Sequence, residues 1–371
     1  MPKIVHLSSV HPAFDSRIFD KECRSLANAG YKVSLVIAHD RDEIIEQINI
    51  KHIRNRKTTR LKRVIFSTWQ VYKRARQENA DLYHFHDAEL IPIAILLRLH
   101  GKKIIYDVHE DLPKQIQSKH YLPSIIKYPL ANFARIGEWL ASRIFFNGII
   151  GATPDIARKF PSKKTIIVQN FPRLENLSTS SKITPYSKRK NIICYIGGIS
   201  KERAIFEMVA AMPLIGEKKT RLLIAGSFFS NKTKQEIKQK SAWEKVDYLG
   251  HLNKDQIVEQ LNKSRCGLVI LHPTKAYLMS YPVKMFEYMA QGLPIIVSDF
   301  ALWRKILEPY NCAIFINPLK ANEISSAIEW ILQNENQAEE MGKKGKKAVE
   351  LHFNWQSEEN KLLSFYKKLL A

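Results

Sequence analysis

"RLENLSTSSKITPYSKRKNIICYIGGISKERAIFEM", residues 173–208, is the passage on which the fold turns. Its first half, 173–190, is polar, loaded with Ser and Lys, and without periodicity, which marks a linker. An apolar strand is predicted over 191–196, a Gly197-Gly198 turn follows, and a helix is predicted over 205–212. A strand–turn–helix unit that starts straight after a linker begins a second α/β domain.

Upstream of the linker the same rhythm predicts strands over 4–8, 32–37, 81–86, 103–108, 146–152 and 165–169, with helices such as 19–30 and 90–100 between them. Downstream it predicts strands over 221–225, 246–250, 266–271, 293–297 and 313–316, separated by helices over 232–243, 254–264, 283–291, 321–334 and 337–352. Strands alternating with helices give parallel sheets covered on both faces. The expectation is two doubly wound, Rossmann-like domains, 1–172 and 191–354, facing across a deep cleft, and 371 residues suffice for two cores. In such sheets ligands sit beyond the carboxyl ends of the strands, so the loops there carry the chemistry.

The charge balance is unusual. Fifty-eight basic residues face 36 acidic ones, a net +22, which calls for a polyanionic partner. The run 51–76 holds ten Lys or Arg and no acid, and interleaves them with apolar and aromatic residues. A basic helix with aromatic anchors suits an anionic membrane surface, with Lys62, Arg63, Trp69, Lys73 and Arg74 as contacts; a solvated helix face is the plain alternative. No nucleic-acid motif accompanies the charge, so nucleic acid is not the expected partner. Cys23, Cys194, Cys266 and Cys312 match no metal or disulfide spacing and read as buried thiols of a reducing cytosol. The longest apolar run, 90–97, falls short of the roughly 20 residues of a spanning helix. Residues 4–7 read as a strand and not as part of a signal peptide, so a soluble or peripheral protein is expected.

At the strand ends, the loop after the first strand, 8–22, has no Gly and so no dinucleotide fingerprint. Asp15 and Arg17 there are ligand candidates, or else a local ion pair. "YHFHDAEL" (83–90) and "YDVHEDLP" (106–113) end neighbouring strands. Their His84, His86, Asp87, His109, Glu110 and Asp111 lack a metal-site spacing, and several are expected on opposite faces, so no metal is assigned. His109 reads instead as a cleft residue that bonds substrate or stabilises developing charge. Gly197 and Gly198 allow close approach of backbone to phosphate, and Arg203 adds a forked cation. Gly226 and Gly250, with His251, end further strand–turn units. In "MSYPVKMFEYMAQGLPIIVSD" (279–299), Ser280 and Pro282 read as the helix start. On one helix face Lys284 can reach a diphosphate and Glu287 can accept from a ribose diol.

These stretches, with "DSRIFDKECRSLANAGYKVSLV", "GATPDIARKF", "LLIAG" and "YLGHL", resemble in kind and order the retaining family 4 (group 1) glycosyltransferases of GT-B fold, of bacterial surface-polysaccharide type. The ending, 355–371, resembles the family's final helix, which packs back on the first domain. The resemblance implies a UDP- or GDP-sugar donor held by Gly197, Gly198, Gly226, Gly250, His251, Ser280, Tyr281 and Glu287. Arg203 and Lys284 would sit on the diphosphate and His109 near the anomeric centre. Asp15, Arg17, His86, Asp87 and Glu110 would face the acceptor, a lipid-linked or membrane-proximal glycan. It implies no cofactor and no metal, and a place on the cytoplasmic, inner face of the plasma membrane. The family's first Glu, eight positions before Glu287, is Met279 here; its usual Arg is Gly198, its usual Lys is Arg203, and the Gly-rich first loop is "HPAFDSRIF". A nucleotide-sugar epimerase of the same fold and an inactive nucleotide-sugar binder are the alternatives.

Overall fold

The computed structural model describes residues 1–54, 60–117, 123–175 and 184–371. The chain divides into two units, Met1–Asn170 with Trp355–Ala371, and Phe171–Asn354.

The first unit holds an eight-stranded sheet of β1 (Lys3–Pro12), β2 (Lys32–Ala38), β3 (Glu43–Ile45), β4 (Ile48–Ile53), β5 (Leu82–Phe85), β6 (Lys103–Val108), β7 (Gly148–Gly151) and β8 (Thr165–Ile167) in the order β3-β4-β2-β1-β5-β6-β7-β8. Every pairing is parallel except β3 with β4. Side chains alternate across the sheet. Val5, Leu7, Tyr83 and Phe85 pack in one layer, while Ile4 and Leu82 pack in the other with Trp355, Leu362 and Tyr366 of the last helix, Trp355–Leu370. His6 and His84, opposite each other in the register of β1 and β5, are fully buried.

The second unit holds a six-stranded, all-parallel sheet of β9 (Ile192–Ile196), β10 (Arg221–Ala225), β11 (Val246–Gly250), β12 (Cys266–Val269), β13 (Ile295–Ser298) and β14 (Ala313–Ile316), ordered β11-β10-β9-β12-β13-β14. Chain order reverses between β9 and β12, the switch point where such sheets take ligands.

Several expectations need correction. Residues 43–53 form an unexpected hairpin, turned by Glu46 and Gln47 at φ 49° and 63°, so the basic run begins as strand β4 before the helix Arg60–Glu78. The helix expected over 19–30 opens as a π-helical turn, Ile18–Cys23, before Arg24–Asn28 becomes α-helical. The end of the expected linker belongs to the second unit: Tyr186 lies in its core and its hydroxyl donates to the Arg265 carbonyl at 2.8 Å. All four cysteines are free and buried. Among the described residues no helix is long and apolar enough to cross a membrane.

Candidate active site

In the second unit, helix Val283–Ala290 is placed by its own Tyr288. The Tyr288 hydroxyl accepts from the Ile196 amide at 2.7 Å, and its ring lies where a side chain on Gly267 would stand. The helix is thereby tied to the carboxyl end of β9. Pro282 occupies the N-cap; Ser280, expected there, instead donates its hydroxyl to the Tyr277 carbonyl at 2.9 Å and closes the preceding turn. The Ser280 carbonyl in turn accepts from the Trp303 indole. Tyr281 packs against the core.

Three strand-end glycines meet here. Gly197 (φ +142°) and Gly226 (φ +134°) have backbone torsions that side chains resist. A Cβ on Gly226 would lie 2.0 Å from the Gly197 carbonyl oxygen, and one on Gly197 would lie 2.9 Å from Lys284 Nζ. The Gly226 amide donates to the Gly250 carbonyl at 2.6 Å, which joins the ends of β10 and β11. His251 is exposed in the loop beyond.

Lys284 places its Nζ 3.9 Å from the centre of the Tyr195 ring. That nitrogen is buried and has no hydrogen-bond partner. Burial, and then the neighbouring Arg203 charge, push its pKa down to about 7, against a smaller upward pull from Glu287. Arg203 donates to the Gly198 carbonyl at 3.3 Å and lies over the Phe229 ring. The next residue, Ala204, has the left-handed torsions φ 53°, ψ 32°. A non-glycine held there is strained, and such strain gathers at functional loops. Glu287, one turn beyond Lys284, is half-buried, and Met279 is 39% exposed. Lys284, Arg203 and the Gly197-Gly198 turn thus come together as a cationic cluster, with Glu287 on the same helix as Lys284. An unpaired buried cation is costly unless an anion completes it.

In the first unit the expected ligand-facing residues form a buried network. Arg17 is 3% exposed and grips Asp107 with two bonds of 2.9 Å, while its third nitrogen donates to the Val168 carbonyl at 2.9 Å. It does not face a ligand, because its fork is completed inside. Asp15 accepts from the Arg17 and Ile18 amides and pairs with His11 at 3.4 Å. Asp87 is also buried, accepting from Ser8 and Ser9; expected at the start of the first loop, these instead continue β1 to Pro12. His86, buried, lies 3.2 Å from Asp107 and 2.9 Å from His6; burial first of all lowers its pKa to about 4. His109 is half-buried, with Nε2 2.9 Å from Asp107. Glu110 is exposed and accepts from the Gln115 amide group.

One assignment of protons satisfies most of this network. His84 donates to the Tyr366 hydroxyl (2.6 Å), which donates to His6 (3.4 Å); His6 donates to His86, and His86 to Asp107. Two groups, His6–Glu22–His84–His86 and His86–Asp107–His109, are close enough to hold a metal ion. His84 and His86, two apart in the chain, turn to the same side and meet His6 there. Their nitrogens are largely taken by one another, and Glu22, whose pKa burial and the adjacent Asp107 charge raise, lies 3.0 Å from Arg17 Nε. The set does not fit a ready metal site. His6, Glu22 and Asp107 are not among the expected site residues; for His6 and Asp107 a polar residue at an inward position of an apolar strand is the available signal, and Glu22, in the turn Ile18–Cys23, has none.

On helix Arg60–Glu78, Lys62 and Arg63 lie outside the residues whose side chains are described. Trp69 is half exposed with Lys73 over its ring, and Arg74 pairs with Asp42 at 3.4 Å.

Residues 178–348 match the family profile "Glycosyl transferases group 1" and residues 17–162 the profile "Glycosyltransferase Family 4". Among solved structures, sucrose-phosphate synthase from Thermosynechococcus elongatus is similar at TM-score 0.78 and 17% identity, covering 100% of this chain and 99% of that one. Anabaena HepE in complex with UDP-glucose follows at 0.75 and 12%, covering 99% and 100%. A glycosyltransferase from Rickettsia africae gives 0.71 and 11%, covering 100% and 98%. At such identities the likeness is one of fold. No curated protein sequence matches the chain.

Proposed function

We infer that this chain, which belongs to the group 1 glycosyltransferases of GT-B fold, moves a sugar with retention from a nucleotide-diphosphate donor, UDP- or GDP-linked, to a lipid-linked or membrane-proximal glycan. The observation that carries the donor half is the buried, partnerless Lys284 Nζ beside Arg203 and the Gly197-Gly198 turn. A diphosphate supplies the anion that this pair lacks. Glu287 is assigned to the ribose diol, as an acceptor of two hydrogen bonds. HepE, of the same fold, is known with UDP-glucose, in keeping with such a donor.

The bond from the sugar's anomeric carbon to the diphosphate oxygen breaks, and the acceptor oxygen forms the new bond on the same face. The acceptor's proton passes to the departing phosphate. Charge grows on the diphosphate as it leaves, and Lys284 and Arg203 stabilise it most at that moment. No step calls for a metal or cofactor. His109 is assigned by family resemblance to the transferred sugar. Its orientation is set by Asp107, which Arg17 holds in turn. The acceptor reading, and a site on the cytoplasmic face of the membrane, rest on the excess of positive charge.

A thermal-shift screen of nucleotide diphosphates and nucleotide sugars tests the donor half, since a ligand bound only by the folded state raises the melting temperature. UDP- or GDP-linked compounds should do so, and Glu287→Ala should lower donor affinity strongly with the fold intact. Equal donor affinity in that variant would sink the assignment.

A further inference from the structure

Helix Ser124–Ile144 is amphipathic in the reverse sense for a surface helix. Its buried stripe is made of small and polar residues, Ala131, Glu138, Ala141 and Ser142, with Glu138 accepting from the Tyr106 hydroxyl at 2.9 Å. Its outward arc carries Ile125, Phe133, Ile136, Trp139 and Ile144, exposed by 82%, 76%, 55%, 49% and 62%. A helix normally turns its apolar stripe to the core. The helix Arg60–Glu78 does so, with Val71, Tyr72 and Ala75 in the core of the first unit. Single exposed apolar side chains are ordinary, but a contiguous patch marks an interaction surface.

The charges of the helix say what covers that surface. Its only acid, Glu138, is buried, so the outward face is apolar and cationic, with Arg135 and Arg143 exposed and Lys127 half-buried. Arg143 lies 4.0 Å over the Trp139 ring. Lys164 caps the end of the helix, donating at 2.8 Å to the carbonyls of Arg143 and Phe146. Protein interfaces exclude charge from their centre and pair what remains. An apolar arc edged by exposed cations, with a Trp at the boundary, is the pattern of a helix lying in the interface of an anionic bilayer. The net charge of +22 adds attraction of the same sign at longer range.

We propose that helix Ser124–Ile144 is the element that docks this chain onto an anionic lipid surface, in place of the basic segment 51–76. The proposal rests on the reading of a membrane-proximal acceptor for its purpose; the docking itself requires no donor.

The test is co-sedimentation of the full chain with vesicles of phosphatidylcholine alone or mixed with phosphatidylglycerol, at low and high salt. The wild type should sediment with the mixed vesicles, and less so in high salt. The double variant Phe133→Asp, Ile136→Asp should bind them at least tenfold more weakly, with its thermal transition unchanged. Ile65→Asp, Trp69→Asp on the other helix should bind as the wild type does. Should the first variant fail to fold, Ile125→Asp, Ile144→Asp at the helix ends carries the same test. Undiminished binding by the outward-arc variants would overturn the proposal. So would a wild-type dimer, without vesicles, that Phe133→Asp, Ile136→Asp converts to monomers, since the arc would then be a protein interface. Vesicle binding without any shift by nucleotide sugars would count against the donor reading alone.

Discussion

The Lys284 ammonium lies 3.9 Å from the centre of the Tyr195 ring and has no hydrogen-bond partner, although buried. Ring and cation attract, but this contact replaces only part of the hydration that the ammonium has lost. Replacing Lys284 by Met therefore removes an unfavourable burial and should leave the melting temperature unchanged or raised. The same change should weaken UDP binding about 10- to 100-fold, the equivalent of the roughly 1.5–3 kcal/mol of a charged hydrogen bond. Calorimetry on the wild type and on Lys284→Met measures the two effects separately. A loss of stability with unchanged UDP affinity would make Lys284 a structural cation.

Donor affinity should depend on pH through the same group. The free ammonium titrates at about 7, and a bound diphosphate holds it charged. Above that value binding must take up a proton, so the dissociation constant should rise up to about tenfold per pH unit, with proton uptake visible in buffers of different ionisation enthalpy. Stability without ligand moves the other way. The folded value lies below the unfolded one, so between about 7 and the ordinary lysine value the unfolded chain carries the extra proton. Over that range the Lys284 contribution to stability increases with pH. Lys284→Met should remove both dependences.

Gly226 and Gly198, at the second unit's strand ends, should differ sharply in tolerance. Gly226→Ala drives a methyl to 2.0 Å from the Gly197 carbonyl at φ +134°, where neither backbone can yield cheaply. Its cost should be several kcal/mol, on the order of an overpacked, strained site, with loss of UDP binding. Gly198→Ala meets the Phe229 ring, itself 67% exposed and able to swing away, and the Arg203 guanidinium at 3.2 Å, both of them side chains that can shift. That variant should fold normally and melt close to the wild type.

In the first unit, Asp107→Asn should be among the most damaging single changes. It removes the carboxylate that Arg17 grips with two bonds and leaves the buried cation only the Glu22 carboxyl at 3.0 Å, and breaking a buried pair from one side costs about 3–5 kcal/mol. Glu22→Gln should cost less than Asp107→Asn, because burial and the adjacent Asp107 charge raise the Glu22 pKa and weaken its pairing with Arg17. Chemical denaturation of both variants checks the contrast; equal losses would mean that Glu22 is charged.

The parallel strands were legible because each is a short apolar run closed by a turn signal: β6, β10, β11 and β14 lie at their expected bounds. The β3–β4 hairpin was not, since Glu46-Gln47 turns it without the Asn or Gly that such turns usually use. Tertiary contact explains the other misses. Arg17 reads locally as a ligand cation, but Asp107, 90 positions away, occupies it in the core. Helix Ser124–Ile144 has an unremarkable apolar periodicity in sequence, and nothing local says that the apolar side faces outward. The pairing of Lys284 with Glu287 on one face was readable from spacing; the lack of a partner for the ammonium needed Tyr195 and Arg203 in place around it.

The most direct measurement of the central claim is titration calorimetry of the full chain with UDP and GDP against uridine and guanosine. One diphosphate should bind, its bare nucleoside should bind far more weakly, and the difference should shrink in Lys284→Met. A nucleoside that binds as tightly as its diphosphate, or a difference untouched by Lys284→Met, would contradict the diphosphate role of Lys284.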